Sequence, residues 1–271
     1  MKITYGISLY DYIEIPAGEL VAILRENRVE ALEFFHGMFA QGDILETLEL
    51  FRQLVFSGSV VRTSWHMPFC CGYDLSTVPE NYWNQERLNF ASQLGLARLL
   101  NAGIAVFHSS LEPILNYERT RKIGNVIANC EALAPVLKAN RVKGALELLP
   151  RSCIGNTVEE LQYIVERLDP EVYGVCLDLN HCMDRYRELP DAIRALGGRL
   201  LELHVSDYDG VDEKHWVPGE GVNDWPAIMA ALKEIDYDGQ FVYETRSKGG
   251  TVRDRIGKLT ENYRWLSTLS K

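Results

Sequence analysis

The chain is poor in positive charge: 28 Lys and Arg stand against 38 Asp and Glu in 271 residues, a net of −10. No Lys/Arg run interrupts that acidity. The basic stripe that a duplex-binding protein turns toward phosphate is therefore missing, and nucleic acid is disfavoured as a partner. No apolar run approaches the roughly 18–20 residues that a membrane span requires. The opening MKITYGISLYDY is too polar for a secretory leader, so a cytoplasmic location is the expectation. Cysteine is sparse and scattered, at 70, 71, 130, 153, 176 and 182, without CxxC spacing, which argues against a disulfide framework. Linkers and low-complexity stretches are absent too, and one domain over residues 1–271 is expected.

What is present is the composition of a well-filled globular domain, 46% hydrophobic and 24% charged. Short apolar runs rich in Val, Ile, Leu, Phe and Tyr recur at about 3–8, 30–35, 60–66, 104–108, 144–149, 173–178, 201–205 and 240–244. Continuous apolar character over so few residues marks parallel strands buried on both faces. Helical periods lie between them. Asp43 with Glu46, and Thr157 with Glu160, open two of these with capping-box spacing. Asp224 can cap WPAIMAALKEI, where Pro226 sits in a first turn whose N–H groups lack helical partners anyway. Further helices fit about 17–28, 80–101, 115–139, 186–196 and 252–268. Eight strand–helix units in succession predict a single (β/α)8 barrel, an open doubly wound sheet being the less economical alternative.

In such a barrel the strand C-terminal ends converge on one face, where catalytic groups sit. All six histidines fall at or after predicted strand ends. His36 follows ALEFF, His66 ends VVRTSWH, His108 ends GIAVFH, His181 follows VCLDLN, His204 ends LLELH, and His215 lies in the next loop. Glu147, Asp178 and Glu244 share those ends. Such groups gathered on one axis repel unless a cation is bound. Glu147, Asp178, His204 and Glu244, from strands five to eight, form the best-supported ligand set. Three carboxylates and one imidazole suit Mn²⁺, Mg²⁺, Co²⁺ or Zn²⁺ with positions left open for substrate. One divalent ion leaves −3 + 2 = −1, which favours a neutral, hydroxyl-bearing ligand over an anion. His66, His108 and His181 read as substrate contacts or ligands of another ion, and His36 as structural.

The segments LEL at Glu147, CLDLNH at 176–181, LHVSD at 203–207, PGEG at 218–221 with Asp224-Trp225, and VYET at 242–245 carry a resemblance. They resemble the xylose isomerase-like superfamily, which includes sugar isomerases and epimerases, inosose and dehydroshikimate dehydratases, and endonuclease IV. The resemblance implies the same four metal ligands, and in its epimerase branch it makes Glu147 and Glu244 the acid/base pair. The implied chemistry is Glu-mediated proton transfer on an α-hydroxy carbonyl sugar through a cis-enediolate that the ion stabilises. Proton return to the same carbon epimerises the sugar, and transfer to its neighbour isomerises it. His181 and His215 would hold substrate hydroxyls. A dehydratase or lyase of a cyclic polyol is the alternative.

Two departures bear on the branch. Ketose 3-epimerases carry a second catalytic carboxylate six residues after the first Glu, a position held here by Cys153. His66, His108 and His215 resemble the additional ligands of endonuclease IV. Glu213, beside Asp212, stands where that enzyme has an Asp. A multi-metal phosphoesterase is thus a rival, with two or three ions in place of one. Against a DNA substrate stand the acidity and the lack of interleaved Lys/Arg and aromatics in strand-end loops. Arg246 and Lys248, with Arg151, would either hold a substrate phosphate or carboxylate or form a solvated basic loop. Trp65, Trp216 and Phe69 are candidates to wall the pocket or stack on a sugar ring. A small sugar or polyol is the expected partner, with homo-oligomerisation left open.

Overall fold

The computed structural model describes residues 3–40, 42–78, 83–246 and 249–269. Eight parallel strands form its centre: β1 (Thr4–Ser8), β2 (Ala31–Phe35), β3 (Arg62–His66), β4 (Ile104–Phe107), β5 (Lys143–Glu147), β6 (Tyr173–Asp178), β7 (Leu200–Val205) and β8 (Gln240–Tyr243). Each pairs with the next in chain order, and β8 pairs back to β1, so the ring is closed. This is the (β/α)8 barrel that the alternation predicts.

The outer layer comprises α1 (Ala17–Glu26), α2 (Ile44–Phe56), α3 (Trp83–Leu99), α4 (Asn116–Asn140), α5 (Val158–Val165), α6 (Leu189–Leu196), α7 (Trp225–Glu234) and α8 (Val252–Leu269). Three of them start where their capping residues dictate. Asp43 accepts the Leu45 and Glu46 N–H groups at 2.9 and 3.2 Å, Thr157 Oγ1 accepts Glu160 N–H at 3.2 Å, and Asp224 accepts Ala227 N–H at 3.0 Å. The helix expected from residue 186 begins instead at Leu189, because Pro190 belongs in a first turn and residues 183–188 wind as a 3-10 segment. None of the described helices is long and apolar enough to cross a membrane.

Most of the core lies between the ring and the helices, with Phe34, Phe51, Trp65, Phe90, Phe107, Tyr173, Trp225 and Phe241 nearly inaccessible. Inside the ring the residues two positions before the mouth divide by chemistry. Val106, Ala145 and Cys176 form a small apolar cluster under one half. Under the other half, Glu202 accepts Ser64 Oγ at 2.8 Å and Gln240 Nε2 at 2.9 Å. Gly174 is required where β6 meets β7, since a Cβ there would fall 2.5 Å from the Arg199 carbonyl oxygen and the Leu201 Cγ.

Candidate active site

Alternation along a strand aims every second residue at the barrel axis, and the last such residues meet at the C-terminal mouth. Glu147 and Asp178 end β5 and β6, His204 stands one residue inside the end of β7, and Glu244 follows β8. One ligand atom from each of the four lies within 4.8 Å of the others. His204 Nδ1 is 3.0 Å from Glu244, 3.2 Å from Glu147 and 3.9 Å from Asp178. Glu147, Asp178 and His204 are inaccessible or nearly so, whereas the Glu244 side chain is 22% exposed and marks the opening.

Glu147 is the hub. Its Oε2 lies 3.2 Å from His66 Nε2 and 3.0 Å from His108 Nε2. Its Oε1 faces His204 Nδ1 at 3.2 Å and His181 Nδ1 at 3.4 Å. Burial alone would raise its carboxyl, but the His108 and His204 imidazoles and hydrogen bonds from His108 and His181 pull it well below the usual range. Asp178 goes the other way: burial raises it, and the charges of Glu244 and Glu147 add to that against the pull of His181 and His215. Glu244 is lowered, since the His204 charge and hydrogen bond outweigh burial. His66 reaches about 9 because its bond to Glu147 overrides burial, while burial keeps His108 below its ordinary value.

The ring nitrogens disclose what the cluster is built to hold. His66 Nδ1 lies 2.8 Å from the Met67 carbonyl, His181 Nδ1 2.9 Å from the Leu148 carbonyl, and His215 Nδ1 3.2 Å from the Glu244 carbonyl. A carbonyl only accepts, so each Nδ1 carries hydrogen and each neutral ring turns an Nε2 lone pair into the site. Those lone pairs meet carboxylates: Glu147 for His66, and Glu213 for His181 at 3.6 Å and His215 at 3.4 Å. Lone pair against carboxylate is repulsive unless the ring is protonated or a cation lies between. Asp178 adds a second sign. Its Oδ1 accepts the Asn180 and His181 N–H groups at 2.6 and 3.1 Å, whereas its buried Oδ2 has no hydrogen-bond partner among the described residues. An acid–imidazole cup with an orphaned buried oxygen fits a divalent ion.

The loop after β7 is held by Asp207 of the LHVSD segment. Its carboxylate accepts the N–H groups of Gly219, Gly221 and Asn223 and the Trp225 indole N–H, at 2.7 to 3.0 Å. That single acceptor explains why PGEG and Asp224-Trp225 accompany it. The loop brings Glu213 and His215 to the mouth, where Arg151 binds Glu213 at 2.9 Å.

Other expected residues fall differently. Phe69 lies on His108, with ring centroids 4.7 Å apart and planes 17° apart, so it does wall the cup. Trp65 does not. It precedes His66 on β3 and so points the opposite way, fully buried, stacked on Phe39 and lining an outer groove with Leu96 and Leu100. Its expected substrate contact is corrected accordingly. Arg246 donates its backbone N–H to the His215 carbonyl at 2.8 Å, but the residue is exposed. Lys248 lies outside the described residues. His36 is half-buried beside Phe35 and outside the four-ligand group. Sequence reasoning missed Glu33, fully buried with Oε2 3.0 Å from His204 Nε2. Its signal was a lone acid inside ALEFF, since acids are almost never fully buried unpaired. It also missed Asp11, whose carboxyl is raised by burial and by the neighbouring Glu244.

The family model for xylose isomerase-like TIM barrels matches residues 21–269. The chain belongs to that family. Among curated relatives, an uncharacterized protein of Methanocaldococcus jannaschii is 26% identical over 163 residues, 58% of this chain and 54% of that one. A D-psicose 3-epimerase of Enterocloster bolteae is 29% identical over 149 residues, 52% of this chain and 45% of that one. The matches thus span about half the length of these relatives. A solved D-tagatose 3-epimerase-like protein superposes with a TM-score of 0.81 at 20% identity, covering 100% of this chain and 98% of the other. A 3-keto-D-glucoside 4-epimerase from E. coli gives 0.78 at 17%, covering 98% and 100%. At such identities these two likenesses speak for the fold.

Proposed function

We propose that this family member is a metal-dependent sugar isomerase or epimerase in which Glu147 and Glu244 exchange the substrate proton. The observation that carries the reading is the approach of Glu147, Asp178, His204 and Glu244 to within 4.8 Å of one another at the mouth. Relatives named as 3-epimerases of D-psicose support the class of reaction. Those four residues would hold the ion, whose charge, when bound, polarises a substrate carbonyl and acidifies the adjacent C–H. Both carboxyls lie below their ordinary range, so at neutral pH both are ionised and ready to accept a proton. The cost is weak basicity, which activation of the substrate must offset. Glu244, open to the mouth, reaches the substrate from solvent's side, and Glu147 from the histidine-lined wall. In this reading His181 and His215 would bond substrate hydroxyls, and Phe69, stacked on His108, would cover the ring. Cys153, whose thiol burial pushes up to about 11, supplies no carboxylate, so hydroxyl recognition here differs from that expected of ketose 3-epimerases.

A second reading, a multi-ion phosphoesterase, is favoured by one observation. His66–His108–Glu147 and Asp178–His181–His215 form two further compact groups that share Glu147 and Asp178 with the first. Metal analysis of the purified protein, with incorporation of solvent deuterium into a panel of ketoses and aldoses, decides between them. One ion per chain and carbon-bound deuterium support the isomerase or epimerase. Two or three ions with phosphate-ester hydrolysis and no exchange support the rival. Loss of water from a cyclic polyol would place the chain among lyases.

A further inference from the structure

Three histidines of the mouth have one nitrogen held by a main-chain carbonyl, those of Met67, Leu148 and Glu244. His204 is held by a side chain. Its Nε2 lies 3.0 Å from Glu33 Oε2, with both residues fully buried, while its Nδ1 faces Glu147 and Glu244 at 3.2 and 3.0 Å. Glu33 arrives from β2, across the barrel from β7, and its other oxygen has no hydrogen-bond partner among the described residues.

From this we infer that Glu33 is the positioning residue that sets the tautomer and basicity of His204 for a metal ion. The inference rests on the metal reading above. A carboxylate only accepts, so without an ion the carboxylates at 3.0 Å from each ring nitrogen call for hydrogen on both; an ion in the acid cup would take the place of the Nδ1 hydrogen, while Glu33 keeps the one on Nε2 and so fixes which nitrogen is the ligand. A buried carboxylate without a competing donor pulls on that hydrogen more than a carbonyl does, and the imidazole becomes the stronger donor at Nδ1. An amide in the same place fails in one of two ways. Its oxygen accepts the hydrogen but adds no charge, or its NH₂ donates to Nε2 and drives the hydrogen onto Nδ1, blocking the ligand atom. Glu202, a second buried acid beneath the same nitrogen, is no substitute. It stands 4.0 Å from the same nitrogen and is committed to Ser64 and Gln240.

The test compares the full-length chain with Glu33→Gln and Glu202→Gln. Affinity for Mn²⁺ and Co²⁺ is read by competition with a fluorescent chelator, alongside the visible spectrum of the Co²⁺ form and the melting of the metal-free protein. Glu33→Gln should bind 10–100-fold more weakly, with an altered Co²⁺ spectrum and a metal-free melting curve no lower than wild type. Glu202→Gln should stay within about threefold of wild type. Affinity of Glu33→Gln within threefold of wild type overturns the inference, and so does an equal loss in Glu202→Gln. A drop of one ion in stoichiometry at unchanged affinity also overturns it, by making Glu33 a ligand itself. Should Glu33→Gln not fold, ¹⁵N NMR of wild type loaded with diamagnetic Zn²⁺ settles the matter: hydrogen retained on Nε2 of His204 is required, and hydrogen on Nδ1 with Nε2 bare refutes it. A wild-type chain that binds no ion overturns the metal reading and this inference together, whereas a binding wild type with an equally binding variant removes only the latter.

Discussion

Replacing Asp178 by Asn should make the metal-free protein more stable and the metal-loaded one less so. The amide oxygen can keep the bonds that Oδ1 accepts from Asn180 and His181 N–H, so the turn after β6 survives. What changes is the carboxylate charge, since one Asp178 oxygen lies within 4.8 Å of the Glu147 and Glu244 ligand atoms and Oδ2 has no hydrogen-bond partner among the described residues. Each such like-charge pair costs about 3–4 kcal/mol at an effective dielectric of about 20. His181 and His204 nitrogens at 3.7 and 3.9 Å offset most of it. Burial tips the balance and raises the Asp178 carboxyl, so the fold favours its neutral form more than the unfolded chain does. A net gain of about 1–2 kcal/mol is expected in chelator, at about 2–4 °C per kcal/mol. Because the native carboxyl titrates above the unfolded one, this gain is largest at pH 7–8 and vanishes at acid pH where both forms are protonated. An ion at 100 times its dissociation constant stabilises wild type by about 2.7 kcal/mol, and the variant should lose most of that. Thermal melts with EDTA and with saturating Mn²⁺ check both arms. A variant that melts below wild type in EDTA, or that keeps the full metal response, refutes the reasoning.

Glu147→Gln and Glu244→Gln should each abolish carbon-bound deuterium exchange while leaving the barrel folded, checked by circular dichroism. Burial, followed by the charge of Glu33, pushes the Glu202 carboxyl up to about 8. The native state therefore retains a proton that the unfolded chain gives up, and stability falls as pH rises from about 5 to 8 by up to about 1.4 kcal/mol per unit. Glu202→Gln should flatten that slope in urea titrations of the metal-free protein. Asp207→Ala strands four N–H donors and should cost on the order of 3 kcal/mol, with loss of metal-independent order at His215 visible by NMR. Gly174→Ala, with its Cβ 2.5 Å from the Arg199 carbonyl oxygen, should cost about 1–3 kcal/mol in denaturant midpoint.

Much of this was legible in the residues. The observed strands begin and end within two residues of the apolar runs, because a strand buried on both faces must be apolar throughout. The four proposed ligands stood out because each interrupts such a run at its end. Less was legible where partners are far apart in sequence. Glu33 meets His204 across 171 positions, and no local pattern announces a pairing that only ring closure creates. The error at Trp65 has another origin. Period two assigns neighbours on a strand to opposite faces, so placing His66 at the axis sends Trp65 to the helices. Phe69, in the irregular loop beyond, escapes that rule and covers His108.

The hub position of Glu147 has a bearing on how the protein comes into being. Four imidazoles, from the end of β3, the residue after β4, β7 and the segment after β6, surround this one acid, and Glu244, after the last strand of the ring, completes the cup. A nascent chain still emerging from the ribosome owns histidines without their acids, then acids without the last gate. Ion capture on the proposed site thus belongs to the closed ring, and it has to wait until β8 has joined β1 and β7.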